Sequence, residues 1–305
     1  MTTENLPIIR DERYRQTLRR DMARYHWRRV AHRWWFWKEC LLDAPGWLQA
    51  AKNRKSPTLS VCIITMNSSE RIVPLLKYCR TFCDELVVGV DSKTTDNTLA
   101  VCEGLADELF VIDNGAPTCN GGLADLVARC HGDWVLRLDD DEFPEPHLAR
   151  YKTALMTQPR LTHYKLPRLH ICETRPLAWV NDGYLYPDYQ MRLFKNDKAL
   201  LSFPGAVGHT SIECAGPRGK IHSVNLVHLN LAINPRWKRE EKLRKYVLRH
   251  EGAWVHPVNE HALLYEDFGY RIQPYHHPDT NFCRLLRETT DHQRAVYEAV
   301  AASAV

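Results

Sequence analysis

Residues 132–146 read GDWVLRLDDDEFPEP. The apolar run from Trp134 to Leu138 has the composition of a short buried strand, and it opens directly into Asp139, Asp140, Asp141 and Glu142. Adjacent carboxylates repel one another, so a fold that keeps four in a row must offset their charge. A divalent cation does this well: magnesium and manganese take hard oxygen ligands and can bridge carboxylates to a diphosphate. The run predicts such a site, with the carboxylates of Asp139 and Asp141 turned into one cleft and that of Asp140 turned away. The alternative reading is a solvated acidic turn.

Working outward toward the N-terminus, the same rhythm repeats. LSVCIIT at 59–65 reads as a strand, ending in the polar stretch Met66-Asn67-Ser68-Ser69, and 69–82 reads as a helix. LVVGVD at 86–91 predicts a second strand, followed by a helix over 96–105 capped by Thr95 or Asp96. LFVID at 109–113 predicts a third strand, 123–130 a third helix, and 134–138 the fourth strand. Strands alternating with helices imply βαβ units and a mostly parallel sheet, and strands apolar on both faces imply helices on both sides. Open sheets of this kind bind ligands at the carboxyl ends of their strands. Thr65 and Asn67, Asp91, and Asp139 with Asp141 occupy those ends. A single strand ending in Asp usually marks a turn or a helix cap; polar endings in successive units point to a ligand.

Beyond residue 150 the alternation fades. THYKLPRLHI and residues 184–228 read as strands and loops, 236–250 (RWKREEKLRKYVLRH) as a basic helix, and the chain from Phe282 as a closing helix with an Ala-rich tail. The sequence divides into an extension, 1–56; an α/β domain, 57–232, with halves 57–150 and 151–232; and a helical C-terminal region, 233–305.

The extension is basic, with 13 Lys and Arg against 6 Asp and Glu, whereas the rest of the chain carries 28 against 31. The positive charge is local, which gives no case for a nucleic-acid-binding protein. Residues 13–42 contain neither Gly nor Pro and predict one long helix, which Pro45-Gly46 ends. Arginines alternate there with Tyr25, Trp27, Trp34, Trp35, Phe36 and Trp37. That mixture suits contact with an anionic membrane surface, and equally suits aromatics packed onto the next domain with solvated arginines. No apolar run approaches the roughly 18 residues that span a bilayer, and the start lacks the features of a secretory signal, so the expected location is cytoplasmic, at most peripheral on the inner face of a membrane. The ten cysteines include no C-x-x-C pair, and they read as free thiols rather than a zinc site.

The motifs together resemble the nucleotide-binding half of family-2 glycosyltransferases, which have the Rossmann-like GT-A α/β fold. LSVCIITMNSSERI resembles the first strand and its T-x-N-x-x-E turn, ELVVGVDSKTTDNT the second element, and GDWVLRLDDDEFPEP the element with the D-x-D signature. PDYQMRLFK at 187–195 is similar to a later motif of bacterial members that build surface polysaccharides. The resemblance implies metal-dependent, inverting transfer of a sugar from a nucleotide diphosphate sugar to a saccharide or lipid-linked acceptor. It implies donor contacts from Thr65, Asn67, Glu70, Asp91, Asp139 and Asp140. Mn²⁺ or Mg²⁺ would be held by Asp141 and Asp139, with His209 or His228 as a late histidine ligand. Asp188 is the expected general base, with Asp182 and Glu213 as alternatives; the competing role for Asp188 is a salt bridge to Arg192, four residues on. One departure is plain. Relatives carry Ala-Arg-Asn before the D-x-D strand, and here Leu123-Ala124-Asp125 stands in that place. Two other readings stay open: a catalytically silent module of this fold in a membrane-associated assembly, and a nucleotidyltransferase on a similar sheet, although MNSSERI lacks the Gly-rich basic loop of the latter.

Overall fold

The computed structural model describes residues 8–43, 56–113, 122–204, 212–249 and 254–303. The chain opens with helix α1 (Glu12–Asp43), then alternates through β1 (Leu59–Thr65), α2 (Ser69–Arg80), β2 (Glu85–Asp91), α3 (Thr98–Cys102), β3 (Glu108–Ile112), α4 (Leu123–Ala128) and β4 (Trp134–Asp139). It forms two compact units, each assembled from separated stretches: Lys38–Leu166 with Tyr189–Leu226, and Met1–Trp37 with Pro167–Asp188 and Val227–Val305.

The first of these units is built on a sheet. Strand β1 pairs in parallel with β2 on one side and β4 on the other, and β2 pairs in parallel with β3. All seven residues of β1 are buried, as expected of a central strand covered on both faces. Helix α2 packs on the same sheet at β2: Ile72, Leu75, Leu76 and Cys79 are its buried residues, at the three-and-four spacing that keeps one helical face inward. Cys62, Val87, Leu123, Leu126, Val135 and Phe194 form one apolar cluster. Gly132 marks a close approach. A Cβ there would lie 2.6 Å from the Ser60 backbone nitrogen, and the Gly132 N–H donates to Ser60 Oγ at 2.8 Å.

Three helices are shorter than the sequence predicts, α2 ending at Arg80 rather than at residue 82. The helix expected over 96–105 is the five-residue α3, because the Asp96 carboxylate accepts from the Thr98 and Ser69 N–H groups and holds the chain in a turn before it, while Gly104, at φ +72, turns the chain after it. The helix expected over 123–130 stops at Ala128.

After β4 come β5 (Glu142–Pro144), α5 (His147–Met156), β6 (His163–Thr174), β7 (Leu177–Val180) and β8 (Asp188–Lys195). Strand β8 runs antiparallel to β4, with Leu136 opposite Leu193 and Trp134 opposite Lys195. The short β9 (Leu201–Ser202) and β10 (Glu213–Cys214) form a separate pair, and β11 (Arg218–Lys220) lies parallel to the start of β6. The chain continues through β12 (Leu226–His228), α6 (Asn230–Ile233), α7 (Arg236–Arg249), α8 (Pro257–Leu263), β13 (Ile272–Pro274) and α9 (Thr280–Ser303).

The second unit joins the far part of β6, antiparallel β7 and β13, helices α6 to α9, and most of α1. One face of α1 is fixed there by polar contacts. Tyr14 donates to the buried Glu260 at 2.6 Å, with Arg10 paired to the same carboxylate; Arg29 pairs with Asp182; and the Tyr186 hydroxyl lies 2.8 Å from His32 Nε2. Tyr25 meets Tyr184 edge to face, with ring centroids 4.9 Å apart. The packing expected of the extension's aromatics therefore holds for Tyr25 and fails for Trp27, Trp34 and Trp37, which are 71%, 61% and 66% exposed. The nine described cysteines are all free.

Candidate functional site at the carboxyl ends of the parallel strands

Parallel pairing of β1, β2 and β4 brings Thr65, Asp91 and Asp139 to one edge of one sheet. Thr65 is buried, and its hydroxyl contacts the Ser68 hydroxyl and donates to Asp140 Oδ2 at 2.8 Å. Arg71 Nη2 reaches the same oxygen at 2.9 Å. Asn67, exposed and at φ 49, turns the chain: its side-chain oxygen accepts from the Thr95 N–H at 2.8 Å, bracing the loop after β1 against the loop after β2. Ser68 N–H adds a second brace, to Thr98 Oγ1 at 2.8 Å. Asp91 is buried and accepts from the Lys93 N–H at 2.8 Å. Glu70 is exposed in the first turn of α2.

The acidic run is neutralised by arginines. Arg137 Nη2 meets Asp139 Oδ1 at 2.6 Å, and Arg192 Nη2 meets Asp139 Oδ2 at 2.7 Å. Arg192 also grips Glu142, which is fully buried, through Nε at 2.7 Å and Nη2 at 2.8 Å. A planar guanidinium on a buried carboxylate is among the stronger charge-assisted pairs. Three arginines thus offset the repulsion that the sequence assigns to a cation. Asp139 and Asp140 are each held by basic partners of their own. Burial and the neighbouring Asp141 raise the pKa of Asp140, against the pull of Arg71 and Thr65. Asp141 itself is buried.

Arg71, Arg137 and Arg192 are the site residues that the sequence reading misses. Arg137 leaves a signal: it is a charged residue inside an apolar strand, two positions before Asp139 and so on the same face. The antiparallel register of β8 brings Arg192 to that level from another strand, and no local signal announces it.

Asp188 belongs to the other unit. The ion pairs of Arg192, the alternative partner expected for it, go to Asp139 and Glu142. Four residues along a strand span about 13 Å, too far for the helical pairing rule to apply. Arg168 makes the ion pair, with Nε and Nη2 at 2.9 and 2.7 Å from Asp188 Oδ2. His170, two residues along β6 and on the same face, places Nε2 at 3.8 Å. Burial pushes the Asp188 pKa up, but Arg168 and His170 outweigh it and hold the carboxylate well below its ordinary range. His228 lies with Nδ1 2.9 Å from His170 Nδ1. Burial lowers the pKa of His170 to about 4, so it is neutral near pH 7. Asp182 caps a short 3₁₀ turn and pairs with Arg29, and Glu213 is exposed in β10. His209 lies outside the described residues. Among the described residues no three His, Cys, Asp or Glu side chains are grouped so as to hold a metal ion by themselves.

A mixed α/β sheet of mostly parallel strands, with polar and acidic residues at its carboxyl edge, defines a protein of the Rossmann-like, ligand-binding class. The particular family follows from comparison. The family model described as Glycosyl transferase family 2 matches residues 60–213, just over half of the chain, and the chain belongs to that family. An uncharacterized glycosyltransferase of Rickettsia bellii (strain RML369-C) is 32% identical over 123 residues, which is 39% of this chain and 41% of the relative. An uncharacterized glycosyltransferase of Rickettsia conorii is 33% identical over 84 residues, 28% of this chain and 29% of the relative. The chain thus spans less than half the length of these curated relatives. Among solved structures, glucosyl-3-phosphoglycerate synthase from Mycobacterium tuberculosis in complex with Mg²⁺ and uridine-diphosphate is 16% identical, with a TM-score of 0.43 over 75% of this chain and 90% of that one.

Proposed function

We propose that this chain transfers a sugar from a nucleotide diphosphate sugar to a saccharide or lipid-linked acceptor, with inversion at the anomeric carbon and with a divalent metal. The observation that carries the reading is the set of strand ends in one sheet: Thr65, Asp91, Asp139 and the buried Asp141, braced by loops that bond to each other. Donor contacts are assigned to Thr65, Asn67, Glu70, Asp91, Asp139 and Asp140, with Asp91 accepting from the base and Asp139 facing the ribose.

The residues fit a metal that arrives with its substrate. Magnesium-type ions are commonly held by one or two carboxylates plus substrate phosphates rather than by an all-protein cage, and the buried Asp141 just past the end of β4 offers such a carboxylate. Asp141 is the proposed ligand. Asp139, already paired with Arg137 and Arg192, is the weaker candidate. When bound, the ion supplies Lewis acidity toward the leaving diphosphate. The late-histidine role stays assigned to His209 or His228.

Asp188 is the proposed base. Its ion pair keeps it ionised and able to accept a hydrogen bond from the attacking hydroxyl. A carboxylate of low proton affinity is a poor base toward an alcohol in its ground state. It becomes competent as the new C–O bond forms and the hydroxyl oxygen turns strongly acidic, so proton transfer comes late. Arg168 and His170 position this carboxylate.

The test is release of nucleoside diphosphate from a panel of nucleotide sugars with Mn²⁺, run on the wild type and on Asp188→Asn. The wild type should turn over in the presence of metal. The variant should keep its donor affinity and lose about 10²- to 10⁴-fold in kcat. Undiminished turnover in Asp188→Asn would move the base elsewhere, and no turnover by the wild type with any donor would count against the transfer reading.

A further inference from the structure

Helix α1 presents two opposite faces. Its buried positions include Tyr14, Asp21 and His32, and Tyr25, Arg29 and Phe36 are half-buried on the same side. At about 100° per residue these fall on one side of the helix. The other side carries Trp27, Val30, Trp34, Trp37 and Leu41, spaced three and four apart and exposed by 71%, 48%, 61%, 66% and 72%. Single exposed apolar residues are ordinary; a continuous stripe of three tryptophans with Val30 and Leu41 is not.

The flanks of the stripe decide what covers it. Arg24, Arg33 and Lys38 border it and Arg28 lies further round, toward Tyr25, all four exposed, and the sequence from Met22 to Lys38 contains no Asp or Glu. Arg28 lies over the Tyr25 ring at 4.8 Å, and Arg24 approaches Asp21 at 3.7 Å. A second copy of the chain would face this stripe with its own arginines and no carboxylate to meet them, which is the like-charge arrangement that paired helices avoid. An anionic lipid surface complements both features at once. Tryptophan favours the boundary between headgroup and acyl chain, and arginines beside it reach the lipid phosphates. The inward face stays occupied by Tyr14 on Glu260 and His32 on Tyr186, so docking needs no unfolding.

We infer that the exposed Trp27–Trp34–Trp37 face of α1 is a docking surface for anionic membranes, with the helix lying flat and its arginines on the lipid phosphates. The full chain should co-sediment with vesicles of equimolar phosphatidylcholine and phosphatidylglycerol and should not do so with phosphatidylcholine alone. Its tryptophan emission should shift to the blue on the anionic vesicles. Binding should fall steeply in roughly 1 M salt, where the screening length is about 3 Å. The variant Trp27→Ala/Trp34→Ala/Trp37→Ala should lose both the sedimentation and the blue shift while keeping the wild-type melting temperature. The independent variant Arg24→Gln/Arg28→Gln/Arg33→Gln should weaken binding about a hundredfold, the combined effect expected of three basic groups at such a surface. Equal sedimentation with neutral vesicles would overturn the inference, as would no sedimentation with either kind. A concentration-dependent dimer in vesicle-free buffer, dispersed by the tryptophan variant, would assign the stripe to a second copy and likewise overturn it. The assay reads no sugar transfer, so it stands or falls apart from the proposed activity.

Discussion

Arg192 joins two carboxylates, Asp139 and the fully buried Glu142, and is itself only 7% exposed in its side chain. Cutting such a contact from one side leaves a charge in the interior without its partner, and that typically costs about 3–5 kcal/mol. Arg192→Ala should destabilise the protein by that order, read as a lowered midpoint in denaturant. Arg192→Lys should recover little of it, because a lysine cannot offer the two-pronged donor that Glu142 accepts. A wild-type midpoint in Arg192→Ala would mean that Glu142 finds water or another donor. The carboxylates of this site were readable from sequence, since four in a row after an apolar strand is a local pattern. Their basic partners were not. Arg71 comes from the following helix of another βα unit and Arg192 from an antiparallel strand, so the pairing is a consequence of register. The same blindness produced the expected Asp188–Arg192 pair, which applied helical spacing to residues that lie in a strand.

The strands within residues 57–150 were legible almost to the residue. The expected first strand, 59–65, is β1, and the fourth, 134–138, is β4 less its terminal Asp139. Buried parallel strands are continuous apolar runs, and their ends announce themselves when the sequence turns polar. The short helices were harder, because α3 is set by the side-chain bonds of Asp96 and by the turn at Gly104 rather than by periodicity. The turn into β4 depends on a feature that composition does not show: the backbone at Gly132 lies against β1. Gly132→Ala puts a Cβ within 2.6 Å of both Ser60 N and Ser60 Oγ. Relieving that clash means moving a strand edge, at about 1–3 kcal/mol by analogy with overpacked cores. The melting temperature should fall, and an unchanged value would show that the loop before β4 shifts at no cost.

The whole molecule carries its charge sensitivity in buried histidines. Burial lowers the pKa of both His222 and His261 to about 4. His222 lies within 2.5 Å of the Tyr189 hydroxyl, and His261 within 2.6 Å of the Tyr270 hydroxyl. Both are neutral in the folded chain at pH 7. The unfolded chain takes up their protons below about pH 6.5, while the folded chain does so only near pH 4. Stability should therefore decline as pH falls from 6.5 toward 4, by about 1–2 kcal/mol per histidine at pH 5. Melting temperatures measured from pH 7 to pH 5 should show the decline, and His222→Gln and His261→Gln should each flatten it. An equally steep profile in both variants would place the sensitivity elsewhere.

Under the proposed function, the carboxyl edge of the parallel sheet binds a nucleotide diphosphate sugar through a metal held by Asp141. The most direct measurement is the thermal stabilisation of the wild type and of Asp141→Asn by nucleoside diphosphates, with Mn²⁺ and with EDTA. With Mn²⁺ and ligand at about a hundredfold excess over Kd, the wild type should gain roughly 2.7 kcal/mol. The gain should vanish in EDTA and in Asp141→Asn, whose own melting temperature should match the wild type. An equal gain in EDTA or in Asp141→Asn would rule out a metal held by Asp141, and the absence of any gain across the panel of bases would rule out a nucleotide site at this edge.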